Sequence, residues 1–196
     1  MKRIGITGGI GSGKSYVCQH LVQLGYRIYE ADTRAKALMV TDAELMSGVR
    51  ALFGAEAYLP DGQLNRALIG QQVFGDAERL QALNRLVHPA TARDFRAWVA
   101  ATPPDYPHQL LFKEAAILYE SGADRDADGV ITVYAPRSVR LQRAMARDGV
   151  SAAQVEARMG RQWPEARRLA RADFAIFNDG QHPIPPQVAA AINYFS

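Results

Sequence analysis

The chain has 196 residues, 48% hydrophobic and 22% charged, which suits one well-packed soluble domain with room for a small inserted subdomain. No run of about 18 apolar residues exists to cross a membrane, and a formal charge of +3 is weak ground for a nucleic-acid partner. The one cysteine, Cys18, excludes an internal disulfide, and a start of Met-Lys-Arg-Ile running into a strand leaves no room for a secretory signal, so a cytoplasmic location is expected.

In chain order, Arg3–Thr7 reads as a buried strand that ends in glycines. Lys14–Leu24 carries apolar residues at helical spacing, and Gly25 stands where a glycine would stop that helix. Tyr26–Tyr29 reads as a second strand, completing a βαβ unit with a parallel sheet. Helices are expected from Asp32 to about Val40, from Asp42 to about Phe53, and near Asn65–Phe74, Asp76–Val87 and Pro89–Ala101. Leu110–Lys113 reads as the third strand, followed by a short helix over Glu114–Ser121. Val130–Tyr134 is the clearest strand. A helix after Pro136 through Arg147, another from Ser151 to about Gln162, a last strand at Phe174–Phe177 and a terminal helix over Gln187–Phe195 complete the chain. The expected fold is α/β: a parallel five-stranded sheet flanked by helices, with the long helical stretch between strands two and three as an insertion.

Gly8-Gly9-Ile10-Gly11-Ser12-Gly13-Lys14-Ser15 fits the phosphate-loop pattern at every fixed position and lies between a strand and a helix. The glycines let successive N–H groups turn toward phosphate oxygens, and the helix N-terminus adds its positive end. Lys14 is expected on the β- and γ-phosphates of ATP and the Ser15 hydroxyl on Mg²⁺. A guanine-reading Asn-Lys-x-Asp is absent, Asn178-Asp179-Gly180-Gln181 being the nearest. A strand ending in paired Asp and Glu is absent too, with Leu110–Glu114 the nearest approach. A small-molecule kinase therefore fits better than a switch or motor ATPase.

Asp32, just past the second strand, falls on the rim where carboxyl ends of parallel strands gather. It is either a carboxylate that takes or orients an acceptor hydroxyl or a cap for the helix beginning at Thr33. Nine arginines and no lysine lie between Arg137 and Arg171. Arg143 and Arg147 share a helix face, and Arg158 lies on the next helix. They are either phosphate-directed groups or a solvated basic face paired with Asp148 or Glu156.

These residues resemble the dephospho-CoA kinase family over nearly the whole chain. The resemblance rests on Ile6–Ser15, Glu30-Ala-Asp32, Leu64-Asn-Arg66 through Val73-Phe74, and Leu86-Val-His88-Pro89. It continues through Leu118-Tyr-Glu-Ser-Gly122, Gln142-Arg143, Arg147-Asp148, Arg158, Gln162, Ala172-Asp173 and Asn178-Asp-Gly180, in that order. It implies a P-loop kinase fold in one domain: a core of about 1–40, 105–138 and 170–196, a helical acceptor-binding insertion of about 41–104, and an arginine-bearing lid of about 139–169. It implies transfer of the γ-phosphoryl group of Mg²⁺-ATP to the ribose 3′-hydroxyl of dephospho-CoA, giving CoA. Asp32, Lys14, Arg143 and Arg147 would serve catalysis, and Gly8 through Tyr16 with Asn178 would hold nucleotide. Arg66, His88 and Lys113 are acceptor-side candidates, each equally readable as a surface charge or, for His88, a structural histidine. Glu30, Tyr16, Ala116-Ile117 and Lys113-Glu114 depart from the family pattern. The rival readings are a nucleoside or nucleotide kinase and a non-catalytic nucleotide-binding regulatory module.

Overall fold

The sheet is built around β1 (Lys2–Gly8), whose Ile4 and Ile6 are fully buried. In the computed structural model, which describes all 196 residues, the chain runs on through α1 (Lys14–Gln23), β2 (Ile28–Glu30), α2 (Ala31–Thr41), α3 (Ala43–Phe53), α4 (Arg66–Val73) and α5 (Ala77–Ala100). It continues through β3 (Leu110–Glu114), β4 (Gly129–Tyr134), α6 (Arg137–Asp148), α7 (Ala152–Met159), α8 (Glu165–Arg171), β5 (Phe174–Phe177) and α9 (Ile184–Phe195). The five strands are parallel in the order β2-β3-β1-β4-β5. The connections leave β1 toward one edge and return later to build the other, so the order reverses beside β1. Open α/β sheets hold ligands at that point, outside the carboxyl ends of the strands.

The chain divides into two compact units, Met1–Glu30 with Pro103–Ser196, and Ala31–Thr102. The first contains the whole sheet. Ile4, Ile6, Phe112, Ile131, Val133 and Ile176 form one apolar cluster with Val17 and Leu21 of α1 and Val188, Ala191 and Phe195 of α9. The apolar strand residues reflect a sheet covered on both faces. Gly129 has no side chain because Phe195 packs against it, the ring Cδ1 falling 3.1 Å from where a β-carbon would stand. α1 stops where the sequence predicts. Gly25 adopts φ +87° and donates to the Val22 carbonyl at 2.9 Å, while Tyr26 N–H donates to Leu21 at 3.0 Å. These two bonds make a Schellman termination, which satisfies carbonyls the helix would leave open.

The second unit is all helical. Side chains of Asp42, Asn65 and Asp76 accept from the backbone N–H three residues on, at 2.8, 3.2 and 2.9 Å, starting α3, α4 and α5. Leu45, Val49 and Phe53 fall four apart on α3 and are buried with Ala57, Tyr58, Ile69 and Ala90. No helix is long and apolar enough to cross a membrane.

Three local expectations need correction. The separate helices expected on either side of His88 are one helix of 24 residues with Pro89 inside it. Proline removes one N–H and disfavours a helix interior, but α2 and α3 both pack on α5, and the Thr91 hydroxyl donates to the Val87 carbonyl at 2.9 Å in the affected turn. The helix expected over Glu114–Ser121 is a series of turns, with a 3₁₀ segment only at Ala123–Asp126. The helix expected from Ser151 to Gln162 ends at Met159, and α8 follows as a separate helix after Pro164.

Leu21→Ala, which empties a fully buried position between α1 and the sheet, is expected to cost about 2–5 kcal/mol. Chemical denaturation should show a lower midpoint with an unchanged slope.

Candidate nucleotide site

The loop from Gly8 to Ser15 joins β1 to α1 at the carboxyl edge of the sheet. Gly11 and Gly13 have φ of +78° and +91°, a left-handed backbone that glycine adopts without strain. At both positions a side chain would also collide. A β-carbon at Gly11 would run into the Arg140 backbone carbonyl at the start of α6, and one at Gly13 would run into the Asn178 amide. α1 begins at Gly13 with no side-chain cap. Its first-turn amides and its positive dipole end are thus directed at whatever occupies the loop, the ordinary device for binding phosphate.

Several segments hold the loop from outside. Asn178, just past β5, donates its Nδ2–H to the Ser12 carbonyl at 2.8 Å. Arg143 of α6 donates from Nη1 to the Asn178 carbonyl at 3.0 Å, joining α6 to the same clasp. Gln162 accepts from the Ile10 N–H at 2.9 Å and donates to the Ala116 carbonyl at 2.8 Å, tying the stretch between α7 and α8 to both the loop and the segment after β3. Lys14 donates from Nζ to the Gly8 carbonyl at 3.1 Å and lies 3.9 Å from Glu114 Oε1. Two carboxylates end adjacent strands here, since Glu30 and Glu114 are register partners at the ends of β2 and β3.

Arg147 and Arg158 both donate to the Asp148 carboxylate, at 2.7 Å each from their nearest nitrogens. These hydrogen bonds, Arg147's first and Arg158's second, hold the Asp148 carboxyl well below the usual carboxylate range. Together with the Arg137–Glu156 pair at 2.6 Å, they join α6 to α7. The surface-face alternative thus describes the present pairing of Arg147, which is exposed, whereas Arg143 is drawn to the loop through Asn178.

The other candidates lie on four separate elements. Lys113 is only 3% exposed, and burial first of all lowers its pKa, with Asp126 opposing. In the second unit, Asp32 lies exposed in the first turn of α2, a helix that begins at Ala31, so Asp32 does not cap a helix starting at Thr33. Arg66 is exposed at the start of α4. His88 is half-buried within α5, and burial lowers its pKa. Sequence reasoning gave no site role to Glu114, Arg140, Glu165 or Arg168. Arg140 shares a helix face with Ala144, four residues on, and both are buried, which follows from how α6 packs and not from the sequence around it.

A glycine loop that closes β1 onto α1 in a parallel sheet of this order, with a lysine and a carboxylate at its mouth and arginines on the following helices, defines a P-loop kinase. The family model described as dephospho-CoA kinase matches residues 2–183. The chain is 44% identical over 181 residues to the dephospho-CoA kinase of Chlorobaculum tepidum, covering 90% of this chain and 86% of that protein. It is 42% identical over 180 residues to that of Salinibacter ruber, covering 92% and 90%. A Thermus thermophilus crystal structure superposes with a TM-score of 0.86 at 32% identity, covering 99% of this chain and 97% of that one. This chain belongs to the dephospho-CoA kinase family and is an ATP-dependent kinase.

Asn178→Asp places a carboxylate against the Ser12 carbonyl and removes the donor that holds it. ATP affinity, measured by calorimetry, is expected to fall about tenfold, with little change in thermal unfolding.

Proposed function

We propose that the chain transfers the γ-phosphoryl group of ATP to the ribose 3′-hydroxyl of dephospho-CoA, giving CoA and ADP. What carries this is the phosphate loop, held in shape by Asn178 and Gln162, in a chain of this family. The loop amides and Lys14 bind the phosphates. Asp32, at the start of the helix after β2, accepts the proton as the 3′-oxygen forms its bond to γ-phosphorus. The bond between γ-phosphorus and the β,γ-bridging oxygen breaks, and the electron pair leaves with ADP. Such a base contributes about 10²–10⁴-fold. Arg143 and Arg147 supply positive charge to the transferring group, Arg147 after release from Asp148. Residues of about 41–104 serve as the acceptor-binding insertion, where Arg66 and His88 lie, with Lys113 a further acceptor-side residue. Residues 139–169 serve as the lid.

The protein groups suit Mg²⁺. A magnesium ion in a kinase takes one or two protein oxygens, waters and phosphate oxygens, so it requires no cluster of carboxylates, and there is no group of three His, Cys, Asp or Glu side chains. The Ser15 hydroxyl in the first turn of α1 and the Glu114 carboxylate beside Lys14 are the oxygens that would hold it. When bound, the ion neutralises charge on the β- and γ-phosphates. Cytoplasmic placement fits a single buried cysteine whose thiol burial pushes up to about 12.

Assayed side by side with nucleosides and nucleoside monophosphates, dephospho-CoA should be the preferred acceptor. Preference for a nucleoside would overturn the assignment. Asp32→Asn is expected to keep ATP binding and lower kcat by at least about 10²-fold. A near-normal kcat would remove Asp32 from the reaction.

A further inference from the structure

Two guanidiniums meet the loop at Gly9 and have no part in the chemistry above. A β-carbon at Gly9 would run into Arg140 Nη1 and would stand 2.9 Å from Arg168 Nη2. Arg140, from α6, is 7% exposed and Arg168, from α8, is 2% exposed. They share a single carboxylate, Glu165 Oε2 lying 3.2 Å from Arg140 Nη2 and 2.9 Å from Arg168 Nη2. Arg140 Nε donates to the Ala135 carbonyl at 3.0 Å. Arg168 Nε and Nη1 and Glu165 Oε1 are buried with no hydrogen-bond partner. A cavity of about 370 Å³ opens along this cluster and is lined also by Arg137, Gln162 and Trp163.

Two buried cations on one carboxylate leave an excess positive charge, and a buried charge is costly unless it is paired and hydrogen-bonded. Burial lowers the pKa of Arg140 most, Glu165 opposes that shift, and Arg168 adds to it. The cluster therefore lacks an anion, and the nearest ligand surface is the phosphate loop itself. The loop has two differently furnished ends. Asn178 and Arg143 flank Gly13, while Arg140, Arg168 and Gln162 flank Gly9 and Ile10. A triphosphate lying along the loop has its own ends at these two flanks, and its terminal phosphate carries the most charge. Guanidiniums are the side chains best shaped for such oxygens.

We infer that Arg140 and Arg168, held side by side by Glu165, form the subsite for the terminal phosphate of bound ATP, so that this cluster distinguishes ATP from ADP. This rests on the loop binding ATP but needs no particular acceptor.

The test is equilibrium binding of a non-hydrolysed ATP analogue and of ADP to the full chain, without acceptor. Arg168→Met is expected to weaken the ATP analogue by about tenfold or more while changing ADP affinity less than about twofold. Arg168→Lys should recover part of the difference. Equal losses for both nucleotides, or no loss for either, overturn the inference. If Arg168→Met does not fold, Arg140→Met decides the matter in the same way, because it removes the other guanidinium on Glu165 and the same ATP-selective loss is required. An unsubstituted chain that binds neither nucleotide overturns instead the ATP-binding premise.

Discussion

The loop backbone must turn its N–H groups inward, toward a polyanion, and this requirement shapes everything around it. A peptide segment with its donors aimed at a ligand has its carbonyls and its outer surface left over, and these need partners of their own. Here the partners come from four separate places. Asn178 after β5 takes the Ser12 carbonyl, Gln162 takes the Ile10 N–H, Lys14 takes the Gly8 carbonyl, and the α6 backbone at Arg140 fits against Gly11. Two of these approaches, of the Arg140 backbone to Gly11 and of Asn178 to Gly13, are too close for a side chain on the loop, which is the physical reason for those two glycines. A site fixed in this way before ligand arrives loses little to reorganisation on binding.

The arginines show how burial divides one residue type between two tasks. Arg137, Arg147 and Arg158 are exposed and pair with Glu156 and Asp148. Solvent screens exposed pairs of this kind, so they bias how α6 and α7 sit together but do not hold the fold. Arg140 and Arg168 are removed from water, crowd one carboxylate and touch the glycine loop. Keeping them there opposes stability, a cost that is intelligible if the same charges are needed at the loop.

The two halves of the proposed reaction are carried by different parts of the chain. The proposed nucleotide side lies within the first unit, built on strand ends whose positions the sheet hydrogen bonds fix. Asp32 opens the first helix of the other unit, two residues after β2 ends. Asp32 is in the helix rather than before it because Ala31 is already helical and Glu30 is still strand.

The features legible in the amino-acid sequence are local or periodic. The phosphate loop was legible because its conformation depends on glycines and a lysine at fixed spacing. The strands were legible because buried parallel strands are continuous apolar runs, and the end of α1 because Gly25 fits a left-handed turn. Asn178 was found through family resemblance rather than through any spacing rule. The remaining features depend on contacts distant in sequence. Pro89 sits inside one long helix because neighbouring helices pack on both sides of it, overriding a local preference. In the turns after β3 the Ala116 carbonyl is taken by Gln162, 46 residues away. Arg140 and Arg168 read as two more charges in a basic segment. Their burial, their shared Glu165 and their place against Gly9 follow from how α6 and α8 pack against the loop, and no pattern of neighbouring residues encodes that.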